Sequence, residues 1–379
     1  MAVNIALLHY HLRPGGVTTV IRNAQRALGA AVFADFGYNE RPAGSRPDFV
    51  AEARVLLGRL PRGGVLHTHN IGLGKHPRLT YAVKLLAETG TRIINQVHDF
   101  PEDNRPAQLR ALRYCTGQRD DAFFQAMCYY DLPNLLWATL TSHDAGKLAS
   151  RGVPADKIHV LPNPVDNEHF AQPATSRDET LAKLAEFSRQ HRYVFNPRRP
   201  ILLSPMKVMV RKNNAEAVEF VRRLGKYQLV IGLDAASPRD RAYSQRLKRK
   251  IHRERLPVII GAGEMFPDPL PLFDAAHAIL TTSKVEGFGY AFLEGWLRGK
   301  LVVGRDIPEV TRDFVVEGMN LRHLYREFDA DAVNRTAKLL ARPPRKLIES
   351  NRRVVLEKYS LRAYARRYDA LLREFSLGR

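Results

Sequence analysis

Cysteine is nearly absent from this 379-residue chain: Cys115 and Cys128 are the only two, and neither falls in a metal-ligand spacing. That excludes a disulfide framework or a structural zinc site as the organising device. So few thiols point to a reducing compartment, the cytoplasm. No apolar run approaches the roughly 18 residues a membrane-spanning helix needs. The first ten residues, Met1 to Tyr10, lack a basic head and a small-residue cleavage site, so they read as a first strand rather than a signal peptide. Internal repeats and low-complexity tracts are missing too. Acidic residues run short: 39 Asp and Glu face 59 Lys and Arg, a net charge of +20.

What is present is the composition of a globular protein, 45% hydrophobic and 26% charged, at a length that favours two domains. The densest basic run is Arg239, Arg241, Arg246, Lys248, Arg249, Lys250, Arg253 and Arg255, on an expected helix that ends before Pro257. Such a face docks nucleic acid or anionic lipid, or is simply solvated. It lacks the interleaved aromatics that stack bases, so no nucleic-acid partner is expected, while peripheral contact with an anionic membrane stays compatible.

Short apolar segments alternate with amphipathic ones throughout, the pattern of βα units around parallel sheets. Expected strands are 4–10, 31–36, 65–69, 92–97, 136–141 and 158–161, then 201–204, 228–231, 258–261, 278–282 and 301–303. Expected helices include 18–28, 78–88, 143–150, 178–190, 213–223, 241–253, 290–298 and 331–341. Asn163-Pro164-Val165-Asp166, with the proline-bounded segment up to Pro200, marks the domain junction. Two doubly wound α/β domains, 1–165 and 166–360, would each bind ligands at the C-terminal ends of their strands, across a shared cleft.

The most telling stretch is Val285-Glu286-Gly287-Phe288-Gly289-Tyr290-Ala291-Phe292-Leu293-Glu294. It predicts a carboxylate at a strand tip, a glycine-softened helix N-terminus, and a second carboxylate about two turns into that helix. Gly287 and Gly289 let a ligand reach the backbone amides, which suit a phosphate, and the carboxylates suit sugar hydroxyls. Were both glutamates helical they would lie roughly 12 Å apart along the axis, at about 1.5 Å per residue. That exceeds the roughly 5–9.5 Å of a glycosidase acid/base pair. An ordinary strand-to-helix junction with solvated glutamates would carry the same residues.

Other strand-end loops supply further candidates. Gly15-Gly16 opens a helix after the first strand, beside His11 and Arg13, where a glycine pair permits a sharp bend and presents amides. Lys207, Arg211 and Lys212 follow the first strand of the second domain, as counter-charge for a diphosphate or as a solvated basic loop. His98 ends another strand, with Asp99, Glu102 and Asp103 able to hold a polyol or to cap the next helix. Glu309, after Gly304-Arg305-Asp306, is a ligand candidate or an N-terminal helix charge. After the Val258–Gly261 strand, Ala262, Gly263 and Glu264 are candidates for base contacts.

Together these residues resemble the family-4 retaining glycosyltransferases of the GT-B fold, over nearly the whole chain. Glu286 and Glu294 match the family's E-x7-E signature, Gly15-Gly16 its first loop, Arg211-Lys212-Asn213 its phosphate-binding segment, and Leu161 to Asp166 its interdomain PN-x-VD stretch. The resemblance implies two Rossmann-like domains facing a cleft, the first binding acceptor and the second a nucleoside-diphosphate sugar. A final helix, about 361–379, would cross back to the first domain. Glu294 would hold the ribose, Glu286 and the amides of Gly287, Phe288 and Gly289 the sugar and phosphates, and Lys212 the diphosphate. His98 and Gly16 would flank the transferred sugar. Lys207 stands where the family usually has Arg, keeping the charge but losing the planar fork. The activity implied is transfer of a hexose from a UDP- or GDP-sugar to a saccharide, polyol or lipid-linked hydroxyl, with retained configuration. No metal and no cofactor beyond that co-substrate are expected, since Lys and Arg supply the counter-charge. The alternatives are a phosphorylase or nucleotide-sugar hydrolase on the same fold, and a non-catalytic binder of nucleic acid or lipid.

Overall fold

The computed structural model describes residues 3–40, 46–103, 106–116 and 127–377. It divides into two compact units, one formed by 1–164 with 361–379 and the other by 165–360.

The first unit is built on a parallel sheet of β1 (Ile5–Leu8), β2 (Ala31–Phe33), β3 (Val65–His69), β4 (Arg92–Val97), β5 (Leu135–Thr139) and β6 (Ile158–Val160). The strands lie in the order β2-β1-β3-β4-β5-β6. Side chains alternate across a strand, so Leu8, Leu66, Ile93 and Trp137 enter one apolar layer while Leu7, Val65, Ile94 and Ala138 enter the other. Burial on both faces is why these strands read as near-continuous apolar runs. The second layer is closed by the helix Leu361–Leu377, whose Tyr364, Tyr368 and Leu371 pack with Ile21 and Ala24 of the helix Gly16–Leu28. The end of the chain is thus part of the first unit's core.

The second unit carries β7 (Ile201–Lys207), β8 (Gln228–Leu233), β9 (Val258–Ile260), β10 (Ala276–Thr281) and β11 (Leu301–Gly304), all parallel, in the order β11-β10-β7-β8-β9. β7 runs past its expected end at Ser204. Pro205 cannot donate to the ladder, and the pairing with β8 shifts register between Ser204 and Lys207 rather than ending. Gly232 on β8 lies against it, and a Cβ there would make ordinary contact with the Pro205 backbone at 3.4 Å. This irregularity carries Lys207 to the rim of the sheet.

Among the described residues, the α-helices Arg46–Leu57, Pro106–Thr116, Asn167–Phe170, Leu270–Ala275 and Pro308–Val316 were not expected from sequence; those expected with stated bounds lie within three residues of expectation.

Candidate functional site

Each sheet reverses its winding once, and ligands of open α/β sheets bind beside the strand C-termini at that reversal. In the second unit the reversal lies between β7 and β10, which are neighbours. Their following loops are stitched together. Thr282 Oγ1 donates to the carbonyls of Lys212 (3.2 Å) and Asn213 (3.1 Å), and Lys284 N donates to Arg211 O (3.0 Å). The short 3-10 turn Val210–Lys212 is pinned from outside by Asp240, whose carboxylate accepts from Val210 N at 3.1 Å.

The stitching brings Lys212 onto Glu286. The Lys212 ammonium donates to both carboxylate oxygens, and both side chains are nearly buried, 10% and 8% exposed. Burial holds the Lys212 amine below its ordinary range, with Glu286 opposing the shift. Arg211 closes the group, donating to Val285 O (3.1 Å) with its Nη1 3.6 Å from Glu286 Oε2. Lys207 has no partner among the described residues. Two cations therefore meet one carboxylate, leaving net positive charge for an anion.

Glu286 lies five residues beyond the end of β10, in the loop rather than at the strand tip. The helix Tyr290–Leu297 begins after Gly289, which takes a left-handed φ of 88° and brings no side-chain cap to the first turn. Gly289 is required by the fold itself, since a Cβ would come within 3.1 Å of Phe292 and Val310. Phe288 turns inward. Its ring packs edge-on against Tyr290 (5.4 Å) and Phe314 (5.9 Å), so only its backbone faces a ligand. Glu294 is the fifth helical residue, about one turn in rather than two. Its carboxylate has no partner among the described residues, and burial pushes its pKa up to about 8.

Two neighbouring loops are occupied structurally. Arg305 pairs with Glu216 (2.5 Å), which also accepts from Tyr325 (2.9 Å), and Glu309 is an exposed first-turn charge. After β9, Gly263 abuts Gly232 O, with only 2.6 Å left for a Cβ, while Glu264 is exposed and unpaired among the described residues.

In the first unit the winding reverses between β1 and β3. Here the structure gathers histidines that sequence reading largely passed over. His98 Nε2 lies 3.0 Å from His69 Nδ1, and His9 Nδ1 donates to His69 O at 2.7 Å. Burial lowers His98 and His67 to about 3 and His9 to about 4, so these imidazoles are neutral near pH 7 and act as hydrogen-bonding groups, not cations. The signal was available in His67-Thr68-His69, two imidazoles inside a fully buried strand. Asn70, left-handed at φ 58°, organises the next loop by accepting from His98 N (2.7 Å) and Asp99 N (3.0 Å) and donating to Asp99 Oδ2 (3.1 Å).

Asp103 is turned away to Lys147 (3.1 Å), and Glu102 to Tyr129 (2.7 Å) and Arg151 (2.9 Å). The chain bends at Pro14 and Gly15 as expected, with Gly15 extended and Gly16 not left-handed. A Cβ on Gly16 would meet nothing within 4 Å, so the missing side chain leaves open space rather than serving the fold. His11 and Arg13 flank this opening.

Among the described residues no group of three or more His, Cys, Asp or Glu side chains converges as metal ligands would, and no helix is long and apolar enough to cross a membrane. An Asp-x-Asp does occur, at Asp329-Ala330-Asp331. Asp329 caps Ala332 N (2.7 Å) and Asp331 pairs with Arg335 (2.5 Å), so both serve the helix they begin. Of the basic helix, Lys248 is paired with Asp234 (2.5 Å) and Arg253 with Glu254 (2.9 Å), while Arg239, Arg246 and Arg249 are exposed.

No family model matches the chain. It is 26% identical over 350 residues to a mannosylglucosyl-3-phosphoglycerate synthase of Petrotoga mobilis, across 82% of this chain and 66% of that protein's length. Three solved structures superpose over nearly all of it. A glycosyltransferase of Rickettsia africae gives a TM-score of 0.71 at 16% identity, covering 98% of both chains. Anabaena HepE with UDP-glucose gives 0.68 at 13%, covering 98% of this chain and 100% of that one. Sucrose-phosphate synthase of Thermosynechococcus elongatus gives 0.68 at 17%, covering 100% of both. The two parallel-sheet α/β units are those of the GT-B fold.

Proposed function

We propose that the chain is a retaining glycosyltransferase that moves a hexose from a nucleoside-diphosphate sugar to a hydroxyl acceptor. The observation that carries this is the group at the β7/β10 reversal: a buried Lys212–Glu286 pair, a partnerless Lys207, uncapped helix amides and a partnerless Glu294. The likeness to a Petrotoga synthase that builds a mannosylated glucoside, and to HepE with UDP-glucose bound, supports the same reading.

In this reading the diphosphate takes Lys212 from Glu286, joins Lys207 and Arg211, and rests on the amides after Gly289. Freed of its partner, Glu286 accepts from sugar hydroxyls, and Glu294 holds the ribose pair. His98 and the Gly15-Gly16 loop serve the sugar and acceptor side. The sugar's bond to the phosphate oxygen breaks as the acceptor oxygen bonds to the same face, and the departing phosphate oxygen takes the acceptor's proton. The chain supplies orientation and charge stabilisation of the leaving group. No carboxylate or activated hydroxyl is poised as a nucleophile in either candidate region.

Incubating UDP-, GDP- and ADP-hexoses with and without acceptors tests this. Transfer with retained anomeric configuration, undiminished in excess chelator, is expected. Glu294→Ala should weaken donor binding, and Lys212→Ala should weaken it and lower turnover as well. Sugar release independent of acceptor would move the assignment to a hydrolase, and phosphate-dependent release to a phosphorylase.

A further inference from the structure

Three loops of the first unit, following β1, β2 and β3, form a preassembled surface outside the histidine group. Gly37 N donates to Tyr10 O (2.7 Å) and Asn39 N to Lys75 O (2.9 Å), which locks the loops together. Between them Tyr38 stands 46% exposed. Its ring is steadied edge-on by His11 (4.6 Å) and Tyr10 (5.6 Å), and Lys75 both bonds its hydroxyl (3.0 Å) and lies 4.7 Å from its centroid.

An exposed, immobilised aromatic ring is a surface on which the apolar face of a pyranose stacks. The charges that bear on His11 beside it are positive. Arg13 is exposed with no partner among the described residues, and the charges bearing on His11 are Arg13 and Lys75. The helix Gly16–Leu28 starts with no acidic residue in its first turn and no side-chain cap. Glu40, two residues beyond Tyr38, is held by Gln108 Nε2 at 3.1 Å.

We propose that Tyr38, Lys75, Arg13 and His11 form an acceptor subsite for a sugar bearing a phosphate or carboxylate, the ring stacking on Tyr38 and the anion lying between Lys75 and Arg13. This rests on the transferase reading for the word acceptor, but not for the binding itself. A neutral saccharide would leave Arg13 unused and Lys75 on the Tyr38 hydroxyl, whereas an acidic one gains charge-assisted bonds from each.

The test is calorimetric titration of the full chain, without donor, using glucose, glucose 6-phosphate and glucuronate as probes. At least one acidic sugar should bind roughly ten-fold or more tightly than glucose. Arg13→Gln and Lys75→Gln should each cut that preference roughly ten-fold, and Lys75→Arg should keep most of it. Lys207→Gln, in the other unit, should leave it intact. Equal binding of glucose and its acidic derivatives overturns the proposal. So does a preference that survives Arg13→Gln and Lys75→Gln, or one lost in Lys207→Gln, which would place the anion at the diphosphate loop. Nucleotide titration is scored separately: nucleotide binding without acidic-sugar preference removes this subsite alone, and the reverse removes the transferase reading alone.

Discussion

Glu294 gives the most quantitative prediction. Burial lifts its carboxyl from 4.5 to about 8, so the folded chain keeps a proton that the unfolded chain has lost across that interval. Stability must therefore fall as pH rises from 4.5 to about 8 and level off above. The buried histidines act in the opposite sense. His9, His67 and His98 are lowered in the folded state, so their contribution rises with pH and is complete once the unfolded chain deprotonates near 6.5. Between pH 6.5 and 8 each unfolded histidine still sheds its last half-proton, about 0.4 kcal/mol in the opposite sense, so the Glu294 slope is read as the difference between the parent and a Glu294 variant. At about 1.4 kcal/mol per pH unit it amounts to about 2 kcal/mol over that window. Glu294→Gln removes it. Of the two tryptophans, Trp296 lies on the same helix as Glu294, so a Trp137→Phe background makes fluorescence report the second unit alone. Urea unfolding at pH 6.5, 7.2 and 8 should show the parent losing about 2 kcal/mol relative to Glu294→Gln. Parallel curves for the two proteins would show that Glu294 is not a partnerless acid raised by desolvation, and the ribose role built on it would go too.

The other predictions concern the same neighbourhood. Lys212→Ala leaves the Glu286 carboxylate buried with only Arg211 at 3.6 Å, which should cost about 3–5 kcal/mol, and adding Glu286→Gln should recover most of it. Additive effects in a double-mutant cycle would show the two side chains are not coupled. Gly304→Ala places a Cβ 1.8 Å from Thr281 O at a φ of 128°, so at least about 4 kcal/mol of destabilisation or insoluble protein is expected. A variant melting with the wild type would contradict the strand end described. Asn70→Ala removes the acceptor of two buried amides, His98 N and Asp99 N, and should cost about 2–4 kcal/mol. Unchanged stability would mean those amides find other partners.

The fold class was legible because βα alternation is a local signal. The details that failed were tertiary. Pro205 ends a strand by local rules, yet β7 continues through it because the pairing with β8 shifts register and resumes at Lys207. Arg46–Leu57 has no single apolar stripe to announce a helix; it forms with Phe49 and Ala53 buried in the first unit's core. Sequence singled out Lys212 and Glu286 separately, but their pairing across 74 positions follows only from β7 and β10 being neighbours. The histidine group was hidden because polar residues in a strand signal exposure, whereas His67 and His69 are both fully buried. Tyr38 and Lys75 carry no motif at all; three separate loops bring them together.

Calorimetric titration of UDP, GDP and ADP into wild type, Lys207→Ala and Lys212→Ala is the most direct trial of the donor site. At least one nucleotide should bind with one-to-one stoichiometry and lose roughly ten-fold or more in affinity in each variant, as expected when a charge-assisted phosphate contact is removed. If none of the three binds, or if binding ignores both lysines, the β7/β10 group does not hold a diphosphate.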